Sequence, residues 1–359
     1  MAQNPTLPPV QTGFIPESEP SPGTGAPSGP SFDVRTDLAV EETEQKREEG
    51  QAPFSGVSVR ESTEGEAQIH VTKVIVENAG GSRLLRKPEG TYITLEAIHM
   101  DENDGSYHRE IAQVLAGQLN TLMAPFLGKQ IPSVLAVGLG NSDVTPDALG
   151  PRVLNNLLIT RHLQTGDFKP PSFPTGKVSV CGIVPGVMAQ TGMETAEIVK
   201  ALTGQIHPDL ILVIDALAAR STARLGTTIQ LSDTGIHPGS GVGNHRHSLT
   251  EESLGVPVIA IGVPTVVSAA AIVTDTLDAL IDVLRRELDT EGFADTLSAM
   301  SDDEKYALIR ELLEPRFGPM FVTPKDIDET VKRLSFTISE GINIALFGEQ
   351  EEPDRSGAF

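Results

Sequence analysis

"SVLAVGLGNSDVTPDALGPRVLNNLLI", Ser133–Ile159, sets a short apolar run before a loop of small and acidic residues, and a helical pattern after it. A run this short and this apolar fits a strand buried on both faces. The apolar spacing of "PDALGPRVLNNLLI" fits a helix packed back on that strand. The unit recurs. "KVSVCGI" (Lys177–Ile183), "DLILVID" (Asp209–Asp215) and "VPVIAIGVP" (Val256–Pro264) read as further buried strands. "TAEIVKAL" (Thr195–Leu202) and "SAAAIVTDTLDALIDVLRREL" (Ser268–Leu288) read as helices among and after them. Alternation of this kind predicts an α/β fold, with a mostly parallel central sheet and helices on both of its faces.

Outward from this core, "IHVTKVIVEN" and "GTYITLEA" are β-branched runs that predict additional N-terminal strands, and "HREIAQVLAGQLNTLM" predicts a helix. The C-terminal part, from about residue 281 to 359, reads as helical with a solvated tail. In it, Ser301 and Glu304 form a capping box, and Thr323 caps a last helix with Pro324 at its first position. Residues 1–31 are rich in Pro, Gly, Ser and Thr and predict disorder. Apolar residues return at Phe32, Val34, Leu38 and Val40, and "EETEQKREEG" reads as a charged, solvated segment. The expected organisation is a disordered extension and short docked segment over 1–37, followed by a single α/β domain over 38–359.

The formal charge of −22, from 27 basic and 49 acidic residues, repels nucleic acid phosphates and anionic membranes. No apolar run reaches the length of a membrane span, and no secretory signal opens the chain. The single cysteine, Cys181, forbids an intrachain disulfide and suits a reducing compartment. It lies in an apolar run and reads as an inert core thiol.

Ligands of an open parallel sheet bind beyond the carboxyl ends of its strands. Two acids stand there: Asp215, directly after "LILVI", and Asp147, in the loop after "SVLAVGL". A carboxylate directly after an apolar run is costly without a partner, which favours a functional Asp215. Asp147 has a plainer alternative, as an acid stabilising a helix's first turn. Paired carboxylates can divide acid and base roles in peptide hydrolysis, or hold a divalent metal with a histidine. The glycine-rich loop after "TTIQLS" offers His237, His245 and His247 for that last role. "GLGN" (Gly138–Asn141) lacks the third glycine of a dinucleotide fingerprint. The Asp-Thr-Gly triplet at Asp233 matches the signature of acid proteases that are all-β, but here it is single and set in an α/β pattern. It is read as a decoy.

Five blocks together carry a resemblance: "VGLGNSDVTPDALGPRV", "GIVPGVMAQTGMETAEIVKAL", "PDLILVIDALAARS", "LGTTIQLSDTGIHPGSGVGNHR" and "LGVPVIAIGVPTVVSA". In this order they resemble the germination protease of spore-forming bacteria, over a stretch from about Phe32 to the C-terminal helices. The resemblance implies an acid-type endopeptidase that degrades small acid-soluble DNA-binding spore proteins. It implies a three-layer fold similar to hydrogenase maturation proteases, no cofactor and no metal. It also implies a homotetrameric, self-processing zymogen located in the cytoplasm of the developing spore, the spore core. The family's catalytic pair falls on Asp147 and Asp215, and its processing junction on "VRTDLAVE", between Asp37 and Leu38. Asn141, Asp143, His237 and Asn244 are expected to line the site. Release of the docked segment is expected on acidification, through Asp33 or Asp37. The competing reading is a metal-binding maturation peptidase or factor using Asp147, Asp215 and a loop histidine.

Overall fold

The computed structural model describes residues 36–48, 50, 54–100, 104–165, 178–237, 247–287 and 300–349. The predicted disorder of residues 1–31, and the tail, lie outside them. Helix α1 (Ala39–Glu48) leads into β1 (Val57–Glu64) and β2 (Ile69–Val76), followed by α2 (Ala79–Leu85), β3 (Gly90–Glu96) and α3 (Gly105–Met123). The central units are β4 (Ser133–Gly138), α4 (Leu149–Asn156), α5 (Arg161–Thr165), β5 (Ser179–Ile183), α6 (Met188–Thr191), α7 (Thr195–Ile206) and β6 (Leu210–Ala219). The chain continues through β7 (Thr228–Ser232), α8 (Glu251–Leu254), β8 (Val258–Ser268) and α9 (Ala269–Glu287). Helix α10 (Asp302–Phe317), β9 (Phe321–Val322) and α11 (Ile327–Phe347) complete the described elements.

The strands form one sheet in the order β1-β2-β3-β7-β8-β6-β4-β5, with β9 on β8. Only the β8-β6-β4-β5 portion is parallel. The pairs β1-β2, β2-β3, β3-β7, β7-β8 and β8-β9 are antiparallel. The sheet is therefore mixed, which corrects the expectation of a mostly parallel one. The reason is topological: the N-terminal strands do not form a separate layer but continue the core sheet through β7.

Side chains alternate between the faces of the parallel strands, as the pleat requires. Val134 and Ala136 of β4 join Leu212 and Ile214 of β6 in one buried cluster, which includes Leu115 of α3, Val153 of α4 and Ile338 of α11. Leu135 and Val137 join Ile211 and Val213 in another, with Val199 of α7 and Leu254 of α8. The runs lacked polar interruptions because both faces are covered. Ser301 and Glu304 form the expected capping box of α10. Helix α11 instead starts at Ile327 after Asp326, so Thr323 is not its cap. The Thr323 hydroxyl donates to the Thr265 carbonyl at 2.8 Å, tying the chain to β8.

The segment after Leu38 departs most from its sequence reading. "EETEQKRE" is only partly solvated: it is part of α1, with Glu41 and Glu42 buried while Glu44 and Arg47 are exposed. Glu41 accepts the Arg220 and Ser221 backbone N–H groups, each at 3.1 Å, and the Thr36 hydroxyl. Burial raises the Glu41 carboxyl above its ordinary 4.5, while those hydrogen bonds and the Arg224 charge only partly offset it. Docked α1 thus holds this proton more tightly than a free segment does. The resulting stabilisation is fully present below about 4.5 and is lost as pH rises through the raised value. Titration of Glu41 therefore opposes acid release of the segment. Protection of the α1 amides, taken as exchange relative to the intrinsic rate at each pH, is expected to be greater at mildly acidic than at neutral pH. Glu41→Gln should abolish the difference in protection, and weaker protection in acid would contradict this account.

Candidate active site

The site forms where the parallel strands run out unevenly. Strand β4 ends at Gly138, which pairs with Ile214, and Leu139 N–H donates to the Ile214 carbonyl at 2.8 Å. Strand β6 runs on beside β8 to Ala219, so Asp215 lies within the strand rather than at its end. What exposes its carboxylate to a cavity is the end of its neighbour β4. Asp215 is 7% exposed, and its Oδ1 accepts the Ala216 N–H at 2.9 Å.

Asp147 reaches the same place from a 3-10 turn, Thr145–Asp147, ahead of α4 rather than in the first turn of that helix. Its Oδ2 accepts the Asn141 N–H at 2.8 Å, folding the loop back on itself. The fold-back requires glycine at position 140. Its φ is +113°, and an added Cβ would come within 1.9 Å of the Asp147 carbonyl oxygen. Gly140→Ala is therefore expected to displace Asp147. The activity of the site should fall by a factor on the order of 100, the cost of a 1 Å misplacement, with a smaller change in melting temperature. An active Gly140→Ala chain would show that Asp147 is not held by this loop.

Asp147 and Asp215 line one cavity of about 360 Å³, together with Asp37, Thr195, His237 and Thr265. Strand pairing between β6 and β8 slips here: Leu217 faces Pro264 while Ala218 faces Val266, leaving Thr265 as the extra residue. Bulges re-aim side chains beside active sites. The Thr265 hydroxyl is buried with no hydrogen-bond partner among the described residues. His237 is held below its ordinary value chiefly by burial and also by the Lys87 charge, with Asp37 opposing. It is accordingly neutral at physiological pH.

Asp37 enters this cavity from the N-terminal side. Its Oδ2 accepts the Ala218 N–H at 3.1 Å, beside the bulge. Its carbonyl accepts Lys87 Nζ at 3.1 Å and Gln230 Nε2 at 2.9 Å. Burial pulls the Lys87 ammonium below its ordinary value, against the charges of Asp37, Glu42 and Glu41. Leu38, next in the chain, is fully buried.

The remaining predicted residues divide. Asn141 donates its backbone N–H to Asp147, and its side chain accepts Gln190 Nε2 at 3.0 Å. Asp143 is exposed and accepts the same Gln190 group at 3.3 Å, so it does not line the cavity. Asn244 and His245 lie outside the described residues. His247 is exposed, 3.9 Å from Glu194. Asp233 lies elsewhere: its Oδ1 accepts the Thr91 N–H at 2.7 Å where β3 meets β7. Cys181 is half-buried, and burial pushes its thiol up, away from the reactive thiolate. Among the described residues, no three or more His, Cys, Asp or Glu side chains converge as a metal site.

A larger cavity, about 480 Å³, lies beside α1 and α9. Arg224, one of its lining residues, pairs there with Glu44 at 2.6 Å and with Glu96. Its acids are already engaged, Glu44 and Glu96 by Arg224, Glu41 and Asp275 by backbone N–H groups, and Asp278 by Lys305, so the smaller cavity is the better candidate for chemistry. Sequence reading missed Lys87, Gln230 and Thr265. None carries a local signal, because each is brought in by pairing between distant segments.

A family model described as germination protease matches residues 34–295. The germination protease of Clostridium tetani is 46% identical over 314 residues, covering 87% of this chain and 95% of the relative. That of Caldanaerobacter subterraneus subsp. tengcongensis is 48% identical over 314 residues, covering 87% and 94%. That of Priestia megaterium is 38% identical over 365 residues, covering 91% and 97%.

Proposed function

The chain belongs to the germination protease family, and on that footing we propose that it is an endopeptidase whose catalytic pair is Asp147 and Asp215. The observation that carries this reading is their meeting in one cavity, from β6 and from the loop after β4, with Asp37 lining the same cavity. Two carboxylates facing one space can share a proton. One takes a proton from water as it adds to the peptide carbonyl, and the other protonates the departing amide nitrogen. No helix among the described residues is long and apolar enough to cross a membrane.

The proposed substrates are small acid-soluble DNA-binding spore proteins. Once freed, such polar chains offer extended peptide to a groove. The net charge of −22 keeps the enzyme itself off DNA. The chain is proposed to be a zymogen that cuts itself between Asp37 and Leu38, to work in the spore core, and to assemble as a homotetramer. Exposed apolar side chains on α10 and β9, among them Leu312, Phe317 and Phe321, offer surface for that assembly. Incubation with a small acid-soluble spore protein, and mass mapping of the products, tests the substrate assignment. Intact substrate after prolonged incubation with processed enzyme would overturn it. Light scattering tests the tetramer.

A further inference from the structure

We infer that Lys87 and Gln230 are the oxyanion donors of self-cleavage, holding the Asp37 carbonyl oxygen while the bond to Leu38 breaks. This rests on the self-processing reading and adds to it the groups that stabilise the reacting oxygen.

The junction is held by side chains. Lys87 Nζ donates to the Thr36 carbonyl at 2.8 Å and to the Asp37 carbonyl at 3.1 Å. Gln230 Nε2 donates to the same Asp37 oxygen at 2.9 Å, while its Oε1 accepts the Ala39 N–H at 2.7 Å. The Leu38 N–H donates to the Thr36 hydroxyl at 3.0 Å. The segment is also tethered at Thr36, Ala39 and Glu41. At Asp37 two donors, one of them a cation, converge on the oxygen of the peptide that is cut. Donors within about 3 Å of an oxygen that becomes negative are the usual source of transition-state stabilisation in acyl transfer.

Both donors come from fixed elements. Gln230 lies on β7, paired with Thr94 of β3 and Gly262 of β8. Lys87 follows the left-handed cap of α2 at Arg86 and precedes Pro88, so the loop has little freedom to withdraw it. A small cavity of about 70 Å³ adjoins Lys87 and Gln230 and shares Asp37, Leu217, Ile236 and His237 with the cavity of the two acids. That space admits at least one water.

In the step, water adds to the Asp37 carbonyl carbon and gives a proton to one carboxylate of the pair. The negative charge gathers on the Asp37 oxygen, between Lys87 Nζ and Gln230 Nε2. The carbon–nitrogen bond breaks as the other carboxyl protonates the Leu38 nitrogen, leaving a carboxylate at Asp37 and an amine at Leu38. Departure of the segment then frees both donors for the scissile carbonyl of a substrate.

The test uses the full chain with Lys87→Met, Lys87→Arg and Gln230→Ala, each checked by thermal melting. The appearance of a Leu38 terminus is followed over time. Cleavage of a synthetic peptide carrying "VRTDLAVE" is measured in parallel. Loss of one donor should slow both reactions on the order of 100- to 1,000-fold, through kcat more than KM. Lys87→Arg, which keeps a charged donor, should recover much of the rate. Where Lys87→Met fails to fold, Gln230→Ala and Lys87→Arg carry the comparison. Processing by Lys87→Met or Gln230→Ala as fast as wild type, or faster, would overturn the inference while leaving self-processing intact. A wild-type chain that never yields Leu38 would overturn self-processing, and the inference with it.

Discussion

Asp147→Asn and Asp215→Asn each reduce peptide cleavage by several orders of magnitude while leaving the melting transition in place. The expectation follows from the way a carboxylate pair acts as one unit: with one member amidated, one of the two proton transfers, from water or to nitrogen, has no group to make it. Each substitution is nearly isosteric. The Asn141 N–H that donates to Asp147 and the Ala216 N–H that donates to Asp215 can both find the amide oxygen instead, so folding should survive. Asp233→Asn is the contrast. Its carboxylate receives the Thr91 N–H at the β3-β7 junction, a bond an asparagine can keep, and cleavage should persist. Turnover of a defined peptide by the three purified variants decides the matter. An inactive Asp233→Asn beside an active Asp147→Asn would return the triplet to consideration.

The full chain, held in solution, gains a new terminus at Leu38, and the Asp215→Asn chain does not. With Asp37 lining the cavity of the acids and Leu38 buried next to it in the chain, the proposed zymogen is one blocked by its own segment. An occupant tethered in cis acts at an effective concentration of about millimolar. Micromolar substrate is therefore excluded until the segment leaves. Product from a spore protein should accumulate after a lag, and its rate should rise in step with the Leu38 terminus. N-terminal sequencing alongside the activity trace provides the measurement. Full activity from an intact chain would end the zymogen reading.

The parallel core was legible in the sequence because burial on both faces leaves a local trace. "SVLAVGL", "KVSVCGI", "DLILVID" and "VPVIAIGVP" carry almost no polar residues, and they became β4, β5, β6 and β8. Asp215 was legible for the same reason, as an ionisable group interrupting such a run. Asp233 reads as a decoy because its surroundings belong to another fold class, and its carboxylate accepts the Thr91 N–H where β3 meets β7. Strand direction left no such trace. Strand β7 runs antiparallel between β3 and β8 and makes the sheet mixed, yet nothing in "TTIQLS" specifies which way its neighbours point.

The segment from Thr36 to Glu48 shows the limit most clearly. Its charges gave a solvated reading, but Glu41 is buried because the backbone N–H groups of Arg220 and Ser221, about 180 residues away, receive it. The same holds for Lys87 and Gln230, about 50 and 193 residues from the Asp37 carbonyl they share. Periodicity and burial are written along the chain, one residue against its neighbours. Whether a charged side chain meets water, a backbone donor or a scissile carbonyl is decided by which distant segments the fold packs together.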